Sequence, residues 1–426
     1  MSENPHNVLS AAVQVSTHDA VAVKVMYGNG SLLDHQTPFV SVHENPTVIP
    51  VLGLGAETTY FLRVVAVSKT ERETLGGMLS FTTGSLPDDL PDLATQASEN
   101  PSPGYVMFGF SGALARSYAV LVDNQGTIVW YRRFEGSVTD FQRQESGTYT
   151  VSVTSQAVPT LFYGMDNLGT ILRTYEAGGD RATGGHELRI AGTSYVLFGI
   201  EHRVMDLAVY GGLPTASVRG IIVEYQRSGV LPLLWNTFDH LEVTDAAADI
   251  SLTGDAVNPW HGNAIEIDRD GNLLVSFRNC DEIIKVEVET GEMMWRLGGK
   301  NNQFEFIGDP LNGFSHQHGI RRLENDNIIL FDNGNLHEPP ESRAVEYQLD
   351  ERNRKATLIW EYRSSPALFA FALGFAQRLE NGNTLITYGT NRRIIEVDMN
   401  GTKRWELTVE TPGHFVYRAF RVGSLY

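Results

Sequence analysis

Up to about residue 84, hydrophobic and polar positions alternate with period two in short runs: Ala20 to Tyr27, Thr58 to Val67 and Leu79 to Thr83. Alternation of this kind sets one face of each strand against a core, so residues 1–84 predict a small β-sandwich. Residues 85–104 break the pattern. Leu86-Pro87-Asp88-Asp89-Leu90-Pro91-Asp92 and Asn100-Pro101-Ser102-Pro103-Gly104 are rich in proline and acid and read as a linker. From Tyr105 to Tyr426 two submotifs alternate. One is a turn followed by an aromatic strand: Asp123 to Trp130, Asp166 to Leu172, Ser228 to Trp235, Glu289 to Trp295, Lys355 to Trp360 and Asn400 to Trp405. The other is a strand, a polar turn and a second strand, opening at Asp140, His186, His261, His318, Gly374 and Arg418.

Each submotif occurs in six copies. A unit made only of strands and Gly/Asn/Asp turns cannot bury both of its faces, so copies must stack, and a closed ring removes the end edges. Residues 105–426 therefore predict a six-bladed β-propeller, and the chain as a whole is expected to be all-β. Five of the six tryptophans fall in the aromatic submotif and are expected to pack between blades. In the amino-terminal unit, Leu52-Gly53-Leu54, Thr59-Tyr60 and Phe81-Thr82-Thr83 resemble a fibronectin type III module, which implies a tyrosine corner at Tyr60 and a packing or docking role.

Charge narrows the function. Thirty-three Lys plus Arg against 51 Asp plus Glu give a net charge of −18, which disfavours nucleic acid and anionic lipid as partners. A lone cysteine, Cys280, rules out an internal disulfide and thiolate-cluster metal sites. Met1 to Asn7 shows no basic segment followed by an apolar one, and no run reaches the roughly 18 apolar residues of a membrane span, so a cytoplasmic protein is expected.

In a propeller, equivalent positions of the innermost strands converge on one axis. Three consecutive copies of the second submotif carry histidine there: His186, His261 and His318. A structural repeat does not require imidazole at that position. Residues i and i+2 of a regular strand share a face, so Asn263 is expected beside His261, and the antiparallel return strand brings Arg278 to the same mouth. Imidazoles, an amide and a guanidinium suit an oxyanion such as sulfate or phosphate. Three histidines also suit a metal such as zinc or iron, in a lyase or oxygenase, although the nearby arginine would repel a dication. A binding propeller without catalysis is a third reading. His316 is expected in a loop; His202 and His414 receive no role, and Arg392 and Arg393 read as solvated rim residues.

Several runs taken together carry a more specific resemblance: His261-Gly262-Asn263, Asp270 to Asn279, Ile283 to Val286, Thr290 to Asn302, Phe314-Ser315-His316-Gln317-His318, and Ile329 to Gly334. They resemble the arylsulfotransferase family, the PAPS-independent aryl-sulfate sulfotransferases. That resemblance implies a propeller with a small amino-terminal β-domain, no cofactor or metal, and two small-molecule partners, an aryl sulfate donor and a phenolic acceptor. It implies ping-pong transfer through a sulfated histidine. By motif the nucleophile is His318; His261, Asn263 and Arg278 hold the sulfuryl oxygens; His186, by repeat position, handles the proton of the phenol. A reactive nitrogen must be unprotonated, so activity is expected to fall at acid pH. The exported bacterial members carry a signal peptide and a disulfide, neither of which is seen here. The anionic donor meets a negative molecule, but screening beyond about 8 Å leaves the local Arg and His field at the mouth decisive.

Overall fold

The computed structural model describes residues 2–97, 100–155 and 159–426 of the chain. Ser98 and Glu99, within the expected linker, lie outside the described residues. The protein is all-β, with 50% strand and 4% helix. Among the described residues no helix is long and apolar enough to cross a membrane.

Two antiparallel sheets form the amino-terminal unit. One joins Ser2–Glu3, Ala11–Val15 and Thr47–Val51; the other is built on Ala20–Gly28, Thr59–Ser68 and Glu73–Thr82. Their alternating apolar residues, among them Val13, Val23, Val25, Ile49 and Leu62, meet in one core. The Tyr60 hydroxyl accepts the Gly55 N–H at 2.8 Å, tying the chain back on itself where it enters that core.

The remaining six sheets are four- or five-stranded and mostly consecutive in sequence. A representative one runs Gly262–Ile267, Leu273–Phe277, Glu282–Val286, Met293–Gly298. Each shares an apolar layer with the next. Val196 and Phe198 of one sheet pack with Val275 and Phe277 of its neighbour. Leu274 and Ile283 meet Ile328 and Val345, and Phe331 and Ala344 meet Ile386 and Ile395. Leu385 and Trp405 meet Val106 and Val120, Leu121 and Trp130 meet Tyr149 and Val151, and Phe162 meets Leu188 and Leu197, returning the cycle to its start. The arrangement is thus closed and propeller-like. The carboxy-terminal strand Phe415–Val422 completes it by pairing with Tyr105–Ser111.

The aromatic submotif explains the contact between neighbours. In each Asp-x-x-Gly turn the Asp side chain accepts two backbone N–H groups, as Asp123 does from Gln125 and Thr127. That fixes the turn so that its carbonyls point outward. The tryptophan of the preceding sheet then donates to one of them: Trp130 to Asn167 at 2.8 Å, Trp360 to Met399 at 3.1 Å and Trp405 to Asn124 at 2.9 Å. These three tryptophans are therefore directional fasteners as well as core. Leu93–Ala97, within the stretch read as a linker, forms an outer strand against Lys403–Val409. Apolar-polar patterning did not reveal it, because its only pairing partner lies some three hundred residues away in the chain.

Trp405→Ala should cost about 3–5 kcal/mol, the usual range for emptying a buried aromatic site. Trp405→Phe, which keeps the ring and strands the Asn124 carbonyl, should cost about 1–3 kcal/mol. Denaturant unfolding monitored by circular dichroism checks both, and a Trp405→Ala midpoint equal to the wild type would contradict the fastener.

Candidate active site

The innermost strands meet at a buried ionic floor. Arg418, from the closing strand, lies 3.2 Å from Asp140 and 2.7 Å from Glu187, and donates to the carbonyls of His186 at 3.0 Å and Asn263 at 3.3 Å. Arg321 of a further sheet pairs with Glu187 at 3.0 Å. These contacts join the inner strands of five sheets, and so fix the height of the side chains standing on them. Burial opposes the ionisation of Glu187, but Arg321 and Arg418 hold its pKa below the usual value.

Above the floor stand the histidines. The rings of His186 and His261 lie edge to face, with centroids 4.8 Å apart. Tyr417 bridges the group, its ring 5.7 Å from His186 and 6.3 Å from His318. Its hydroxyl donates to the Asn263 carbonyl at 2.9 Å. Arg278 donates its backbone N–H to the His261 carbonyl at 3.0 Å, so the return strand does deliver it to this mouth. All five residues singled out in the sequence, His186, His261, Asn263, Arg278 and His318, are thus brought together.

Local backbone departs from the regular strand on which the pairing of His261 with Asn263 was argued. His261 has φ +51°, and the ladder slips between Gly262 and Ala264. Asn263 is buried and donates through Nδ2 to the Gln317 carbonyl at 2.6 Å, while its Oδ1 has no partner. One amide hydrogen is spent on the backbone next to His318, and the other remains for a ligand.

The hydrogen bonds assign the tautomer of His318. His318 Nδ1 is 2.7 Å from Asn333 Oδ1 and 3.1 Å from the His316 carbonyl. The Asn333 amide cannot be turned round, because its Nδ2 donates to the carbonyls of Ala370 and Leu373 at 2.7 and 2.8 Å. Both neighbours of Nδ1 are therefore acceptors, so Nδ1 carries the hydrogen and Nε2 presents a bare lone pair. At His261 the neighbour of Nδ1 is the Asn258 side-chain amide, 3.0 Å away through its nitrogen, and the Oδ1 of that amide has no partner. Either face of the amide serves Nδ1, so this contact orients the His261 ring without choosing its tautomer.

Charge keeps the imidazoles neutral. Burial lowers the pKa of His186 to about 3, with Arg219 and Arg418 adding to the effect. Burial likewise holds His261 well below 6.5, helped by His186, Arg219 and Arg278. His318 is held well below the same value by burial and by Arg278, against an opposing contribution from Asn333. The loss of activity expected at acid pH is therefore displaced below the ordinary imidazole range. Arg278 has no carboxylate within ion-pair distance; it donates to Asn279 Oδ1 at 2.7 Å and the Phe371 carbonyl at 3.0 Å, leaving a buried Nε without a partner.

Among the described residues no group of three or more His, Cys, Asp or Glu is placed to hold a metal ion. His186, His261 and His318 do not form such a group. His316 sits in a loop with φ +55°, between Asp281 at 2.9 Å and Asp249 at 3.1 Å. His202 is exposed on a long hairpin, and His414 lies edge-on to Phe110.

Four neighbours were not singled out from sequence. Asn333 lay in a quoted motif and Arg418 at a repeat position, whereas Tyr417 and Arg219 carried no signal, since their relevance depends on pairings distant in the chain.

Fold and site together define an all-β, propeller-like protein with a buried cluster of histidines, an asparagine and arginines on its innermost strands. The chain belongs to the arylsulfotransferase (ASST) family, whose model matches residues 93–418, and this membership supports an aryl sulfotransferase activity. No curated protein matches the sequence at a significant level. Among solved structures, a Bacteroides caccae protein of unknown function is similar at 13% identity and TM-score 0.48, covering 75% of this chain and 98% of its own. A catalytically inactive virginiamycin B lyase from Staphylococcus aureus with quinupristin is similar at 12% identity and TM-score 0.40, covering 76% and 90%. Likenesses this loose carry no function across.

Long-range proton–nitrogen spectra of histidine-labelled protein should show His318 protonated at Nδ1 and unchanged as the pH is lowered through 6.5, with His261 likewise neutral throughout. Titration of His318 at the ordinary imidazole value would contradict the assignment.

Proposed function

We propose that this protein is a PAPS-independent sulfotransferase that moves a sulfuryl group from an aryl sulfate ester to a phenolic acceptor in a ping-pong reaction through a sulfated His318. The observation that carries the reading is the bare Nε2 of His318, made so by the Asn333 bond, in a site whose Arg278 lacks a counter-ion. On this reading residues 105–426 form a six-bladed catalytic propeller, residues 1–84 a fibronectin III-like domain, and residues 85–104 the connection between them.

In the first half-reaction the His318 Nε2 lone pair forms an N–S bond as the aryl O–S bond breaks, and the phenolate leaves with the bonding pair. Arg278, the free amide hydrogen of Asn263 and the imidazole of His261 face the sulfuryl oxygens, where charge shifts in the transition state. His186 is neutral and handles the acceptor's proton: the phenolate of the first half-reaction leaves as the anion, and His186 then takes the hydrogen of the incoming phenol as that oxygen attacks sulfur and the N–S bond breaks, and passes the proton to water. A neutral His318 is the form that attacks, so the depressed pKa keeps the nucleophile ready well into acid.

Incubation with a chromogenic aryl sulfate alone should add one sulfuryl group, read by intact mass, with release of one equivalent of phenol. A second phenol should then give turnover with parallel double-reciprocal plots. His318→Ala should lose the adduct and at least about 10³-fold in kcat. Full turnover by His318→Ala, or intersecting plots without an adduct, would overturn the mechanism.

A further inference from the structure

Arg219 lies on the strand Ala216–Gln226, two residues before Ile221. Alternation places the two side chains on one face, and Ile221 is a side chain that a Cβ at Gly262 would meet, at 3.1 Å. Arg219 therefore faces the segment carrying His261. Its neighbour Val218 pairs with Val257, where the chain enters the turn that holds Asn258 and His261. Its charge is felt by His186 and His261.

What sets Arg219 apart is the lack of anything to answer it. Other arginines of the inner strands and their neighbours meet carboxylates: Arg321 and Arg418 meet Glu187, and Arg343 meets Asp332 at 2.9 Å. Arg219 makes no ion pair and no hydrogen bond with any described residue, and its Nε is buried without a partner. Burial alone lowers its pKa, with no carboxylate opposing. Arg278 also lacks a carboxylate partner, but it lies on the side of His318, whose imidazole it depresses. The charges of Asp249 and Asp281 are felt at Arg278, whereas no carboxylate acts on Arg219, so a sulfate ester held at Arg278 leaves the Arg219 guanidinium still to be answered.

We propose that Arg219 receives a second oxyanion on the substrate, a carboxylate, sulfonate or further sulfate on the aromatic ring, so that the protein prefers anionic phenols and their sulfate esters over neutral ones. The planar fork of the guanidinium fits such a group in two parallel hydrogen bonds. The inference rests on the sulfotransferase reading for the identity of the ring, and adds which rings are taken.

The test is equilibrium binding by titration calorimetry to the full chain, comparing 3- and 4-hydroxybenzoate with the neutral 3- and 4-hydroxybenzamides. Wild type should bind one of the benzoates at least about tenfold more tightly than its amide, a preference worth about 1.4 kcal/mol. Arg219→Met should abolish that preference, and Arg219→Lys should keep part of it, with unfolding midpoints showing that both variants are folded. Equal affinity of wild type for acid and amide, no saturable binding of either, or a preference that survives Arg219→Met would overturn the proposal. Binding needs no sulfuryl transfer. Discrimination without turnover of any aryl sulfate would sink the sulfotransferase reading alone, and turnover without discrimination would sink this one alone.

Discussion

The hydrogen bond from His318 Nδ1 to Asn333 is the contact on which the chemistry of this protein depends. It decides which imidazole nitrogen is bare, and it does so without putting a charge beside the ring. A carboxylate in that place would orient the ring equally well, but would favour the imidazolium. An amide gives orientation with no full charge, its pull toward the imidazolium being outweighed by burial and Arg278, and this amide is held in one sense by two backbone carbonyls, of Ala370 and Leu373. Those carbonyls belong to the connection that leads into the neighbouring sheet, so the closure of the ring and the tautomer of His318 are one structural fact.

The rest of the architecture supplies height and neutrality. Arg418 and Arg321, tied to Glu187, draw the inner strands to a common floor. Tryptophan-to-turn bonds hold adjacent sheets at the outside. Side chains set on such a frame are ordered before a ligand arrives, which is where electrostatic catalysis gains most. A molecule with net charge −18 thereby carries, at its centre, two guanidiniums without carboxylates and three imidazoles kept neutral by burial and by those same charges.

Much of this was legible in the sequence, because the repeat is local. Turn residues recur from unit to unit, so the all-β, propeller-like class could be read from spacing, and the inner-strand position shared by His186, His261 and His318 could be read with it. The site was less legible wherever geometry depended on irregular backbone or distant partners. Regular alternation was the wrong reason for pairing His261 with Asn263, since a positive φ and a slipped ladder intervene. Asn333 was visible as part of a motif, but its function as a neutral acceptor required the carbonyls of a loop nearly forty residues on. Arg219 left no trace in the sequence at all: what marks it is the absence of a partner, a property of the folded chain. The strand Leu93–Ala97 was hidden for a similar reason, since only the far end of the chain pairs with it.

The central claim is that burial and Arg278 keep His318 unprotonated while Asn333, an acceptor without charge, aims it. Its most direct measurement is the pH dependence of sulfuryl-adduct formation, by rapid quench and intact mass, in the wild type and in Asn333→Asp. The account predicts a wild-type rate that holds as the pH is lowered through 6.5, and a variant whose rate falls at higher pH because the new carboxylate stabilises the imidazolium. Superimposable profiles, or a wild-type rate that already falls at the ordinary imidazole value, would contradict it.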